Sequence, residues 1–217
     1  MKLKKIASLM LAGVMAVSML AGCSGKGETK PEEPATGVNA NTVIAALDKD
    51  TTKNVTFTAS ASLQATAEKA VTYVNDGVVS KFDVSLLKKV DTKLSDGRLP
   101  APGKSGTTGT TGAQDSVAQS YTFVVNSGSL YGASDKATVD TLAKAIAAAG
   151  VSDGGIGMSA LPTESGNYAV TGVETYKFDF AYTADVAVVS TANDNGQVTY
   201  YAVVTLTRTP TRTAVEA

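Results

Sequence analysis

From Tyr176 to Leu206 apolar residues recur at every second position on either side of a turn, the pattern of strands that each bury a face. Tyr176, Phe178, Phe180, Tyr182, Ala184, Val186 and Val188 share one parity. Asn193-Asp194-Asn195-Gly196 then supplies turn chemistry, and Val198, Tyr200, Ala202, Val204 and Leu206 return on one parity. The segment predicts a long antiparallel hairpin. Strands well beyond the usual five or six residues predict a strongly twisted sheet.

Other stretches carry weaker versions of the same signal. Val55, Phe57, Ala59, Ala61, Leu63 and Ala65 alternate with Thr and Ser partners and Gln64, which predicts a first long strand. Ala70 to Val74 reads as a short second strand ahead of an Asn75-Asp76-Gly77 hairpin turn. From Phe82, the residues Val84, Leu86, Val90 and Leu94 share a parity, although a helix would also align Val79, Phe82, Leu86, Val90 and Leu94. The preceding turn favours a strand. Tyr121, Phe123 and Val125 begin another strand, with Asn126-Ser127-Gly128 and a return through Leu130 and Tyr131. Ser134 or Asp135 caps a helix to Ala149, stopped by Gly150, with Val139, Leu142, Ala143, Ile146 and Ala147 on its apolar face. A weaker helix covers Thr42 to Asp48 behind Asn41. The fold class expected is α+β, an antiparallel, strongly twisted sheet of long strands with two helices packed on one face and the other face solvated.

Two segments lack apolar periodicity. Residues 24–39 hold Pro31, Pro34 and charged residues but no aromatic, the composition of a disordered tether with a reach of roughly 20 Å. Residues 96–119 include Pro100, Pro102 and Thr-Thr-Gly-Thr-Thr-Gly at 107–112. Either this stretch links two small domains or it is a long exposed excursion from one. The piece at 40–95 would be marginal alone, which favours a single domain over 40–209 with a tail at 210–217.

The N-terminus carries an address. Lys2, Lys4 and Lys5 precede an apolar run from Ile6 to Met19, too short and too rich in Ala and Gly for a comfortable membrane span. Leu20-Ala21-Gly22-Cys23 resembles the lipobox of bacterial lipoproteins, cut before the cysteine. That resemblance covers about the first 25 residues. It implies removal of 1–22, a diacylglyceryl thioether on Cys23 and anchorage to a cell membrane in the envelope, with two acyl chains supplying the double anchoring that one cannot. Cys23 is the only cysteine, so lipidation leaves no disulfide framework. Removing three lysines leaves 16 basic residues against 20 acidic ones, a net charge near −4, with no electrostatic footprint for nucleic acid.

Several chemistries drop out. The chain has no histidine, which removes Ser-His-Asp catalysis and imidazole metal ligands; no metal or other cofactor is expected. Ser85-Leu86-Leu87-Lys88 matches the S-x-x-K spacing of serine–lysine acyl enzymes, with Lys104-Ser105-Gly106 and Ser165-Gly166-Asn167 as nominal companions, in the reverse of the usual order. Gly103-Lys104-Ser105 departs from phosphate-loop spacing, and Pro100 and Pro102 remove N–H groups such a loop needs. Gly155-Ile156-Gly157 lacks the strand–turn–helix context of a dinucleotide fingerprint. Asp179 and Asp185, on one strand face, stand about 20 Å apart, beyond the separation of paired glycosidase carboxylates.

Aromatic residues concentrate between Tyr168 and Tyr201. Tyr176, Phe178, Phe180 and Tyr182 would form ordinary sheet core or line an apolar cavity between sheet and helices. The latter design is similar in outline to lipoprotein carriers of the LolA and LppX type. The expectation is a non-enzymatic envelope module that binds a protein, peptide or glycan partner. A lipophilic-ligand carrier is the second reading, and a carboxylate or Ser–Lys hydrolase the third.

Overall fold

The computed structural model describes residues 37–103, 114–128, 133–169, 175–193 and 195–215. In chain order these form α1 (Ala40–Ala45), α2 (Lys49–Thr52), β1 (Val55–Ala59), α3 (Ala61–Asn75), α4 (Val84–Val90), β2 (Gln119–Asn126), α5 (Asp135–Ala147), two 3₁₀ turns (Asp153–Gly155 and Met158–Ala160), β3 (Tyr176–Ala192) and β4 (Val198–Ala214). The fold is α+β around one four-stranded sheet of order β1-β3-β4-β2.

The alternating C-terminal segment forms the hairpin expected of it, two 17-residue strands paired from Tyr176↔Ala214 to Ala192↔Val198. Asn193 organises the turn, its side-chain oxygen accepting from the N–H groups of Asn195 and Gln197 at 3.0 and 2.9 Å. β2 pairs antiparallel with β4 over residues 201–208. β1, however, runs parallel to β3, Val55↔Tyr182 through Ala59↔Val186. The sheet is therefore mixed, which corrects the antiparallel expectation. β4 also continues to Ala214, so Pro210–Ala214 are strand and not a tail. Segments before and after residues 96–119 contribute strands to the same sheet.

The second correction concerns residues 60–94. After Ala59 the chain turns helical, with Ser60 as N-cap accepting from the Leu63 N–H. Leu63, Ala67, Ala70 and Val71 then fall on one helical face and are buried. Alanine is the strongest helix former and a poor strand former, so the alternating Ala residues beyond Ala59 obey helical spacing. Asn75-Asp76-Gly77 closes this helix and is no hairpin. Gly77 takes φ +71°, its N–H reaches Val74 O at 3.0 Å, and Val78 N–H reaches Tyr73 O at 2.9 Å. That pair of bonds is a Schellman stop, which needs a residue free to adopt positive φ. Within the ambiguous 82–94 stretch, Val84–Val90 is likewise helical, capped by Asp83 onto Leu86 N–H at 2.9 Å. Leu86 and Leu87 are both buried, an adjacency that a one-faced strand cannot satisfy.

Consequently both faces of the sheet carry helices. α1, α5 and the segment 150–168 cover one face, packing Val43, Leu142, Ile146, Met158 and Leu161 against Tyr182, Ala184, Val186, Val204 and Leu206. α3 and α4 cover part of the other, packing Leu63, Val71, Phe82 and Leu87 against Ala187, Val189 and Val203. α5 begins at Asp135 behind Ser134, which caps Ala137 N–H, and ends at Ala147, two residues short of the expected limit. α1 begins behind Asn39 in a reciprocal capping box with Thr42, two residues earlier than expected. Val38 already packs against the core, so the folded part begins before residue 40.

β3 is far longer than β1, which would leave its edge bare on either side of that strand. Two devices fill the gap. Thr163 O accepts from Phe180 N–H, and Tyr168 exchanges backbone bonds with Tyr176 at 2.7 and 3.0 Å. At the other end, the Gln64 side-chain amide donates to Val188 O and accepts from Val188 N–H, both at 3.0 Å, imitating a strand residue. Replacing Gln64 by Leu leaves both Val188 groups unpaired and is expected to cost about 1–3 kcal/mol in urea unfolding. The change Lys69→Ala, exposed on the same helix, should stay within about 0.5 kcal/mol.

Candidate functional site

Cys23, the signal segment, Lys104-Ser105-Gly106 and the Leu130–Tyr131 return lie outside the described residues. The aromatic row of β3 is inside them. Phe178, Phe180 and Tyr182 are buried, and Tyr176 is half-buried. Tyr168 stacks on Tyr176 at 5.7 Å and meets Phe178 edge-on at 5.9 Å. Tyr182 donates to Pro162 O at 2.7 Å. The segment 150–168, more than the helices, covers the row.

Under this row sits a buried polar cluster. Arg208 continues the inward parity of Ala202, Val204 and Leu206, and its side chain is 1% exposed. Its guanidinium lies 4.6 Å from the Phe180 ring, donates to Pro100 O at 3.0 Å and to Gln119 Oε1, and pairs with Asp115 Oδ1 at 3.4 Å. Asp115 is fully buried; its Oδ2 accepts from Tyr168 Oη at 2.5 Å and from Gly103 N–H at 2.8 Å. Arg208 Nε has no partner among the described residues. The cluster thereby holds both ends of the low-complexity stretch. Leu99, 1% exposed, adds backbone bonds to Val151 and Asp153. The flanks of 96–119 are thus anchored in the core, which corrects their reading as a wholly exposed excursion. A Cβ at Gly103 would collide with Tyr168 Oη, so only glycine allows this close approach.

The second feature is an uncovered half-face. α3 and α4 stop short of one end of the sheet, and there the outward parity is polar. It carries Thr56 and Thr58 on β1, Lys177, Asp179, Ala181, Thr183 and Asp185 on β3, Thr205 to Thr213 at alternate positions on β4, and Ser120 and Thr122 on β2. Hydroxyls pair across strands, Ser120 with Thr207 at 2.8 Å and Thr122 with Thr205 at 3.0 Å. Thr56, Thr58, Ala181, Thr183, Asp185, Thr209 and Thr211 are exposed, while Thr122 is buried, its backbone N–H bonded to Ser95 O. Beyond β2 the last residues of β4 pair with no second strand among the described residues, and Pro210 and Arg212 are residue types that guard such edges.

Two charged groups at the end of this face, Lys177 and Asp179, are settled into pairs. Lys177 bonds Glu164 and lies 3.5 Å from Asp179, which accepts from Thr213 Oγ1 at 2.5 Å. The Glu164 bond holds the Lys177 pKa above its ordinary value, and the Thr213 bond holds that of Asp179 below its own. Both groups stay charged at neutral pH, so neither is tuned for proton transfer there. The two described serine–lysine elements, around Ser85 and Ser165, do not converge. Ser85 is exposed on α4, Lys88 is held by Asp96 at 2.7 Å, and Ser165 lies across the sheet, accepting from Phe178 N–H. Gly155 and Gly157 border 3₁₀ turns, outside any strand–turn–helix unit. No group of three or more potential metal ligands occurs among the described residues. An open hollow of about 320 Å³ beside α5 is walled largely by alanines, with Asp48, Asp140 and Lys144 at its rim.

Compared with protein-family models, curated proteins and solved structures, the chain matches none.

Removing one member of a buried ion pair strands the other. Asp115→Ala is therefore expected to cost about 3–5 kcal/mol in urea unfolding, far more than an exposed change such as Asp153→Ala. Burial first, and then the Asp115 carboxylate, push the Tyr168 phenol up to about 12. Burial also raises Tyr182. The folded state favours the protonated phenol, against about 10 in the unfolded chain. Its stabilising effect is complete below about pH 10 and is lost as pH rises through 12. Tyr168→Phe should flatten the fall in stability between pH 10 and 12, as followed by urea midpoints.

Proposed function

We propose that this chain is a membrane-tethered, non-catalytic interaction module of a bacterial cell envelope, anchored through lipidated Cys23 and working through the uncovered half-face of its sheet. The observation that carries the reading is the division of that sheet face. One half is sealed by α3 and α4, while the other keeps a row of exposed side chains within regular structure. A rigid sheet holds such groups more precisely than a loop does. The lipobox-like Leu20-Ala21-Gly22-Cys23 supplies the anchoring half of the proposal. No helix among the described residues is long and apolar enough to cross a membrane.

The interaction reading is favoured over a lipophilic carrier because Phe178, Phe180 and Tyr182, which would line a cavity, are occupied by packing partners. It is favoured over a hydrolase because Lys177 and Asp179 are held in their charged forms and Lys88, one helical turn from the exposed Ser85, is paired with Asp96.

Cell fractionation tests the anchor, and Cys23→Ser should move the protein from the membrane to the soluble fraction. A photoreactive residue at Thr209 or Thr211 should capture an envelope component in cells, whereas one at Lys144 on α5 should not. Equal capture from both positions, or from neither, contradicts the assignment of the working surface.

A further inference from the structure

Within that reading, and resting on it, we infer that the half-face takes a neutral, hydroxyl-rich glycan chain. Thr58, Thr183, Thr205, Thr207, Thr209 and Thr211 present hydroxyls from three adjacent strands. Each hydroxyl can donate once and accept twice. Alternate residues on a strand repeat at roughly 6.8 Å and neighbouring strands at roughly 4.8 Å, so these groups form a regular two-dimensional array. In the Ser120–Thr207 and Thr122–Thr205 pairs one proton is used between the partners, and the second remains available to donate elsewhere.

Charge then selects the partner. Lys177 is the one cation in this array and is already neutralised by Glu164 and Asp179, which leaves a phosphate backbone no counter-charge. Ala181 is the one apolar side chain among the exposed positions, too little for an apolar ligand. Asp185 is exposed, stands in register between Thr58 and Thr205, and makes no hydrogen bond or ion pair among the described residues. Covering that carboxylate with a protein surface strands a charge unless the partner brings a cation. A vicinal diol satisfies it with two donors and continues the hydroxyl network. With no exposed aromatic ring in the array to stack a sugar, each contact is weak. Many copies held in one membrane plane convert weak contacts into avidity along a polymer.

The experiment uses the full-length lipidated chain in vesicles, sedimented with protein-free murein sacculi and, separately, run in gels containing amylopectin. Binding to at least one of these probes is expected. The triple change Thr183→Val, Thr209→Val and Thr211→Val, which keeps shape and β-branching, should lower the bound fraction at least five-fold with the melting temperature little changed. Asp185→Asn, tested alone, should lower it at least two-fold and guards against misfolding of the triple variant. Failure of the wild-type chain to bind either probe overturns the inference, as does undiminished binding by both variants. Capture of an envelope protein from Thr209 by a chain indifferent to both glycans also overturns it, and leaves the interaction-module reading standing.

Discussion

The antiparallel pairing of β3 with β4 over 17 residues is the contact on which the rest of the structure depends. β1 and β2 are short strands that join it on either side, and each of the two hydrophobic clusters takes residues from both of its strands. Such length carries a liability, since a 17-residue strand next to a five-residue one exposes backbone groups that invite mispairing. The chain answers with Gln64, with the 163–168 segment, and with Pro210 and Arg212 at the end of β4. The same mismatch in length leaves the polar half of the outer face beyond the reach of α3 and α4. The surface proposed to do the work is thus a by-product of how the hairpin outgrows its cover.

Arg208 and Asp115 give the hairpin a second role. A buried ion pair contributes little net stability against a hydrophobic substitute, but breaking it is costly. Its value here is positional. Asp115 is reached by Arg208 from β4, by Tyr168 from the segment over the aromatic row, and by the backbone of Gly103. Three chain segments far apart in sequence are thereby fixed at one point, next to aromatic rings that exclude water. A stretch of Gly, Thr and Pro with little apolar content of its own acquires two defined ends. The arrangement favours one way of closing the aromatic face.

Some of this is legible in the sequence, for identifiable reasons. The hairpin, β2 and α5 have strong periodicity and clear boundary residues such as Asn193, Gly196 and Ser134. Residues 60–75 mislead because alternation of Ala with Ser, Thr and Gln is compatible with either period; the helical spacing Leu63–Ala67–Ala70–Val71 and the low strand preference of alanine decide the outcome. Val84–Val90 misleads because parity counting passes over Leu87, the buried residue out of phase with a strand. The threonine array is visible as Thr205, Thr207, Thr209, Thr211 and Thr213, yet threonine is an ordinary strand residue, and only the limits of α3 and α4 show which hydroxyls stay open. Arg208 announces itself only as a charge in the inward parity of β4. Asp115 gives no local signal, because its partners lie 12, 53 and 93 residues away.

The central claim is that the two faces of this hairpin have different fates, the aromatic row being sealed and the threonine half-face open. The most direct measurement is paramagnetic relaxation of side-chain methyl signals of the full-length chain by a soluble gadolinium chelate. Strong broadening is expected at the Thr183, Thr209 and Thr211 methyls, with little effect at Ala187, Val189 and Val203 on the same face and at Leu206 under the aromatic row. Equal protection of Thr209, Thr211 and Val203 would contradict the account, as would broadening of Leu206 and Val204 comparable to that of the threonines.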